Sequence, residues 1–319
     1  MQLPAELQDA IETLAESHNL KSLIQGREAV SSDYRKGADS KRAFRDDAQL
    51  LSYLITRFPA TYAVCCKVFD EIRQRLPMMS VGSVLDLGSG PGSASWAAIQ
   101  CFGSIELYLI EREREAIEVG KRLGEVSGSF GRASWTLGSL EEPFSIPGVD
   151  VAILSYVLGE MSLEASRKVV DRLWESSVPI VVLIEPGTPR GYQRIIDLRD
   201  RAIEKGARVV APCPHGMKCP MSGGDWCHFA ARVERSRLHR KLKGGTLGFE
   251  DEKYSYVVLA KGEVPSIEGR VVGRPLKGSG HVKLPMCASD GTLKEIVVTR
   301  SDKKKYRDAR DAEWGSAWM

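Results

Sequence analysis

No apolar run in this 319-residue sequence approaches the roughly 20 residues that a bilayer-spanning helix needs, so no membrane partner is expected. The start, Met1-Gln2-Leu3-Pro4-Ala5-Glu6, has neither a basic, acid-free presequence nor the apolar core of a signal peptide. That favours a bacterial or archaeal cytoplasm over import into an organelle. Internal repeats and low-complexity tracts are absent too, which excludes a repeat array. Cysteine is scarce, seven in all, and none stands in the C-x2–4-C pairs of zinc knuckles. The C-x3-C-x2-C run of radical enzymes is also missing. What is present is ordinary for a globular chain: 43% apolar and 27% charged residues. The length suits one α/β domain with appendages or two modest domains. A net charge of +3 hides an asymmetry, because residues 232–310 carry nineteen Lys/Arg against ten Asp/Glu. That excess suggests an anionic partner on the C-terminal side, nucleic acid before others.

The chain is organised around Val84-Leu85-Asp86-Leu87-Gly88-Ser89-Gly90-Pro91-Gly92. A buried strand runs into a glycine-rich turn, and Ser93 to Gln100 suits the helix that follows. The glycines let the backbone pass close beneath a ligand that faces the free N–H groups of the helix start. Strand–GxGxG–helix is generic for nucleotide-like ligands. Asp86 inside the strand and Glu111, which ends the next apolar run, narrow it. An acidic residue about 20 positions past the glycines is where such folds hold ribose hydroxyls. The pattern resembles motif I and the following acidic residue of class I methyltransferases that use S-adenosylmethionine. That resemblance implies a Rossmann-like α/β fold with a seven-stranded sheet. It also implies a donor site at Asp86, Gly88, Ser89, Gly90 and Glu111, with Ser139 and Leu140 near the adenine and Ser155 after the fourth strand.

Taken in order, residues 1–79 read as a helical N-terminal extension, with Leu3, Leu7, Ala10, Ile11 and Leu14 at helical spacing. A polar loop is expected around Gly26 to Gly37, then a basic stretch holding Arg35, Lys36, Lys41, Arg42 and Arg45. Residues 80–261 alternate between strands and helices. Strands are expected at 81–87, 105–110, 134–138, 150–155, 179–184, 207–210 and 254–259, which implies a mostly parallel sheet. A cysteine-rich insertion, 211–253, separates the last two. Residues 262–300 read as a small β module and 301–319 as a basic, then Trp-bearing tail. After the fourth strand, Ser155-Tyr156-Val157-Leu158 replaces the Asn/Asp-Pro-Pro-aromatic motif of amino-group methyltransferases. No general base is evident there, and Glu160, the nearby carboxylate, reads first as a helix cap or ion-pair partner. Catalytic residues are left unassigned.

Cys213, Cys219 and Cys227 are spaced C-x5-C-x7-C in a Pro- and Gly-rich loop, and Cys287 follows in the β module. Long, irregular spacing with Cys-Pro steps fits an iron–sulfur cluster better than a zinc knuckle; zinc is the alternative, with His215 and His228 as further ligands. Pro212-Cys213 as the nucleophile of a cytosine-C5 methyltransferase is disfavoured, since it follows the sixth strand rather than the fourth. Cys65, Cys66 and Cys101 sit in apolar helical surroundings and read as core. Together, VLDLGSGPG, Ser155-Tyr156-Val157-Leu158-Gly159-Glu160, Ile184-Glu185-Pro186-Gly187-Thr188-Pro189, the CPH…CP…C loop and Lys253-Tyr254-Ser255-Tyr256 resemble one family over residues 40–319. It is the methyltransferase-like proteins associated with the mitochondrial small ribosomal subunit, with their bacterial relatives. The resemblance implies a [4Fe–4S] site on Cys213, Cys219, Cys227 and Cys287, and the small subunit and its rRNA as partners. It also implies a role in assembly or translation, with rRNA methylation as the alternative activity. A monomer is expected.

Overall fold

The computed structural model describes residues 1–36, 44, 46–128, 130–221 and 224–319, without the side chains of 31–36. The chain opens with four helices, α1 (Ala5–Ala15), α2 (Leu20–Lys36), α3 (Asp47–Thr56) and α4 (Phe58–Arg75). Leu7 and Ile11 of α1 are buried, as their spacing requires. The polar stretch expected from Gly26 is instead helical as far as Lys36. Gly26 explains the difference: a Cβ there would stand 2.6 Å from the Ala48 carbonyl oxygen, so glycine serves the close approach of α2 to α3 rather than a break. The basic stretch from Arg35 to Arg45 falls outside the described residues or side chains.

Alternation then follows: β1 (Ser83–Leu87), α5 (Ser93–Phe102), β2 (Glu106–Glu111), α6 (Arg114–Gly124), β3 (Ser134–Leu137), β4 (Val151–Ser155), α7 (Leu163–Glu175), β5 (Ile180–Pro186), α8 (Pro189–Glu204) and β6 (Arg208–Ala211). After the cysteine loop come β7 (Phe229–Glu234), α9 (Arg237–Lys243) and β8 (Phe249–Ala260). The sheet order is β3-β2-β1-β4-β5-β8-β6. β1 pairs in parallel with β2 and β4, and β8 runs antiparallel to both β5 and β6. This is the class I methyltransferase order, with its reversed last strand next to the fifth. The sheet has eight strands rather than seven, because β7 pairs with the first half of β8. Phe229, Ala231 and Val233 point inward and alternate with exposed residues; two of the six residues are alanine, and the sequence pattern is correspondingly faint.

The core has two layers. On one face of the sheet Val84, Leu107, Ile153 and Val182 pack with α4, α5 and residues of α1 to α3. On the other, Leu85, Ala152, Leu154 and Leu183 pack with α7 and α8. Beyond Ala260, β9 (Gly269–Val271), β10 (Leu276–Lys277), β11 (His281–Ala288), β12 (Leu293–Thr299) and β13 (Ala317–Trp318) make an antiparallel sheet. α10 (Lys303–Asp311) belongs to its core through Ala309, and Trp318 is buried beside it. The stretch read as a tail is therefore a helix and a closing strand.

Candidate functional site

The turn between β1 and α5 has the three glycines at φ of +68°, +54° and +92°. Gly88 has a second reason to be glycine, since a Cβ would lie 2.3 Å from Val157 Cγ2. Gly92 caps α5 in the left-handed region and, having no side chain, offers no cap of its own to the first-turn N–H groups. Asp86, on the central strand, accepts from the Ser95 hydroxyl at 2.7 Å and the Ser95 N–H at 3.2 Å. Glu111 accepts from the N–H groups of Gly90, Arg112 and Glu113 at 2.7, 2.8 and 2.9 Å. Its carboxylate therefore ties the end of β2 to the glycine turn.

The residues that the sequence nominates for the donor, Asp86, Gly88, Ser89, Gly90, Glu111, Ser139, Leu140 and Ser155, all line one solvent-open cleft of about 810 Å³. It lies at the carboxyl ends of β1, β2 and β4, where open α/β sheets bind ligands. Tyr53 on α3 and Thr61 on α4, which precede the sheet in the chain, line it too, with Arg112, Tyr156 and Glu160. Sequence reasoning missed Tyr53 and Thr61 because nothing in a helical repeat marks which turn meets the sheet edge. The Tyr53 hydroxyl lies against Ser93 and Thr61, and burial pushes its pKa up to about 12. Tyr156 adopts φ of +60°, costly for a side-chain-bearing residue. Its buried hydroxyl has no hydrogen-bond partner among the described residues.

Among the carboxylates that wall the cleft, Asp86 and Glu111 are buried and Glu160 is partly exposed. Burial raises Asp86 to about 7, opposed by its Ser95 hydrogen bonds and reinforced by Glu111. Burial likewise raises Glu160 to about 7, opposed by Arg112 at 3.1 Å. Glu160 is thus an ion-pair partner that also faces the cleft. Behind it Glu185, accepting from the Gly159 N–H at 3.2 Å, is pushed by burial to about 7. Burial also raises Glu111, resisted by its three N–H donors and by Arg112. Such a pocket favours a ligand that carries positive charge.

A second cavity, about 530 Å³ and open to solvent, is lined by Cys213, Cys219, Cys227 and Cys287. β6 and β7 flank the loop that carries Cys213, Cys219 and Cys227, and β11 brings Cys287 from the C-terminal sheet. Burial raises the Cys227 thiol, and the neighbouring Cys213, Cys219 and Cys287 push it further. Burial takes Cys287 to about 12, with Cys213 and Cys219 adding to it. The four thiols therefore lie within electrostatic reach of one another, although no three ligand side chains converge on one metal-ion position among the described residues. Cys219 accepts from the Tyr192 hydroxyl at 3.2 Å, and Cys287 Sγ stands 3.4 Å from His215 Nε2. His215 lines the cavity. His228 packs instead between Trp226 and Trp314, at ring separations of 5.3 and 4.9 Å. Arg199 and Arg270, which the sequence did not single out, also line the cavity. Cys65, Cys66 and Cys101 belong to or pack against the core beside α4 and α5.

Residues 47–319 match the family model described as mitochondrial small ribosomal subunit Rsm22. The chain belongs to this family. The human "Ribosome assembly protein METTL17, mitochondrial" is 29% identical over 83% of the chain and 61% of its own length. The fission-yeast "Rsm22-cox11 tandem protein 2, mitochondrial" is 25% identical over 84% of the chain and 43% of its own length. The chain thus spans about half the length of these Rsm22 relatives. The finding overturns the expected bacterial or archaeal cytoplasm: relatives matched over most of the chain are mitochondrial proteins of eukaryotes. A leader judged missing from six opening residues is a weak guide beside that likeness. Among solved structures, a plantazolicin methyltransferase aligns with a TM-score of 0.46 and 12% identity over 79% of the chain and all of its own. A likeness so distant carries no argument about this chain.

Proposed function

We propose that this Rsm22-family chain binds S-adenosylmethionine and acts on the small ribosomal subunit, through its rRNA, during assembly or translation. The observation that carries the donor assignment is the gathering of Asp86, the three-glycine turn and Glu111 in one anionic cleft. A ligand bearing a sulfonium and an ammonium suits that charge, and Glu111 is placed to accept from ribose hydroxyls. The ribosomal partner is taken from the family and from what its relatives are called, and the positive excess in 232–310 fits it. Methyl transfer to rRNA is a second reading, favoured by Tyr156, which lines the cleft at a strained φ of +60°.

Cys213, Cys219, Cys227 and Cys287 are read as ligands of a [4Fe–4S] cluster. The donor set fits: four thiols share one cavity with two buried guanidinium groups, Arg199 and Arg270, which suit an anionic metal–thiolate centre. Zinc, with His215 beside Cys287, is the alternative. Either centre would supply structure, joining the insertion to the C-terminal sheet. Anaerobic purification with absorbance, iron, sulfide and zinc measured together tests this: iron and sulfide in equal amounts support the cluster, and zinc without sulfide removes it. Calorimetric titration of S-adenosylmethionine tests the donor site, and absence of binding would leave the cleft without its assigned ligand.

A further inference from the structure

Arg199 stands on α8 with 1% of its side chain exposed. A guanidinium so buried is strongly unfavourable unless its donors and its charge are matched. Its donors are matched unevenly. Nη2 donates to the carbonyls of His215 and Met217, both at 2.9 Å, and so grips the loop between Cys213 and Cys219. Nη1 donates to Asp200, a carboxylate 38% exposed and screened by water. Nε is buried and has no hydrogen-bond partner among the described residues. Arg199 lines the same cavity as Cys213.

Arg270 on β9 makes the contrast. It is equally buried, but Glu71 takes it in a forked pair at 2.8 and 2.9 Å. Its other donors go to the carbonyls of Pro212 and Gly315, each at 2.8 Å. Arg270 is a closed pair, whereas Arg199 leaves the α8 wall of the cavity positive. His215 does not offset it, because an imidazole brings no negative charge and the residue meets Arg199 through its backbone carbonyl. Asp290, the next acid on that side, is held at the surface by Thr292 and Lys294.

We propose that Arg199 is the resident counter-charge of an anionic centre held by Cys213, Cys219, Cys227 and Cys287, fixing how tightly that centre is retained. The inference rests on the four-cysteine reading above, not on the metal's identity: an oxidised cubane and a zinc ion each leave four thiolates with a doubly negative charge. Arg199 is a positioning residue in this role, acting through charge on ligands that it does not replace.

The test compares wild type, Arg199→Lys and Arg199→Gln after anaerobic purification, reading metal and sulfide content and then the rate of metal loss to a chelator. Circular dichroism and donor binding report whether each variant has folded. Both substitutions lose the fork to His215 and Met217, but only glutamine loses the charge. Arg199→Gln is expected to release metal at least about tenfold faster than wild type, the effect of one charge-assisted contact, with Arg199→Lys close to wild type. If a cubane is present, its midpoint potential should also fall in Arg199→Gln, since removing a positive charge disfavours the added electron. Equal release from the two variants, or no change in either, overturns the counter-charge role while leaving the ligand assignment standing. Zinc in place of iron and sulfide removes the cluster but leaves the order of release rates as the test. A wild-type chain that holds no metal, even after anaerobic reconstitution with iron and sulfide or with zinc, overturns the four-cysteine reading and this inference together.

Discussion

At the scale of single residues, the donor cleft is decided by buried carboxylates. Glu111 is held by three backbone N–H groups, two on Oε1 and one on Oε2, and keeps a lone pair on Oε2 for a ligand. Glu111→Gln should weaken S-adenosylmethionine binding by about tenfold or more, one charge-assisted hydrogen bond, as read by calorimetry; equal affinity would take the ribose role from this residue. Asp86, Glu160 and Glu185 share a second consequence. In the unfolded chain such groups titrate near pH 4, whereas burial holds them protonated up to about 7 in the folded state. The folded state then binds more protons across that window, so without ligand its stability falls as pH rises from about 4 to 7. A cationic ligand favours the ionised carboxylates, so its affinity should rise as pH passes through about 7. Calorimetry on either side of that pH checks this, and flat affinity would show that these groups do not feel the ligand. Most of the cleft was legible in the sequence because Asp86 to Gly92 is one contiguous turn and Glu111 ends the adjacent strand. Tyr53, Thr61 and Arg199 were not, since their roles come from where helices land on the sheet, which no local pattern records.

Elements carry the same lesson with different causes. The parallel strands were readable as apolar runs because both faces of the sheet are covered. β7 was not, because its inward positions include a small alanine and its neighbours in sequence are the cysteine loop. α2 was misread because glycine signals a break, whereas Gly26 serves contact with α3. The glycines of the β1–α5 turn, by contrast, mean what they suggest. At Gly88 alanine meets both a left-handed φ and the Val157 side chain at 2.3 Å. Gly88→Ala should cost about 2–4 kcal/mol, combining the left-handed penalty with overpacking, and should abolish donor binding. Thermal melting together with calorimetry checks both halves; unchanged stability would mean that the turn relaxes easily. The distinction from Glu111→Gln is that the glycine change should lower stability and binding together.

At the scale of the whole molecule, the question is what holds the C-terminal sheet against the methyltransferase-like sheet. Polar contacts do part of it: Arg270 reaches Glu71 on α4, Pro212 in the cysteine loop and Gly315 near the last strand. Arg75 adds a bond to the Pro265 carbonyl. A metal centre joining Cys287 to the three insertion cysteines would close a long loop across the same junction, and such closure favours the docked arrangement. Cys287→Ser should therefore lose metal and expose residues 262–319 to limited proteolysis. Donor binding should survive, because Asp86 and Glu111 stand on β1 and β2. The basic surface belongs to the same docked unit, since Lys303, Lys304 and Lys305 are exposed on α10. If that surface meets RNA phosphates, binding to small-subunit RNA should weaken steeply with salt. Each contact removed with Lys303, Lys304 or Lys305 should then cut the slope of log affinity against log salt by about 0.7–0.9. Undocking the sheet should act in the same direction, so Cys287→Ser and the triple lysine change should both flatten the slope. Only Cys287→Ser should also change metal content and the proteolytic pattern. Full metal content in Cys287→Ser would return the fourth position to another ligand, with His215, 3.4 Å from that thiol, the first to replace.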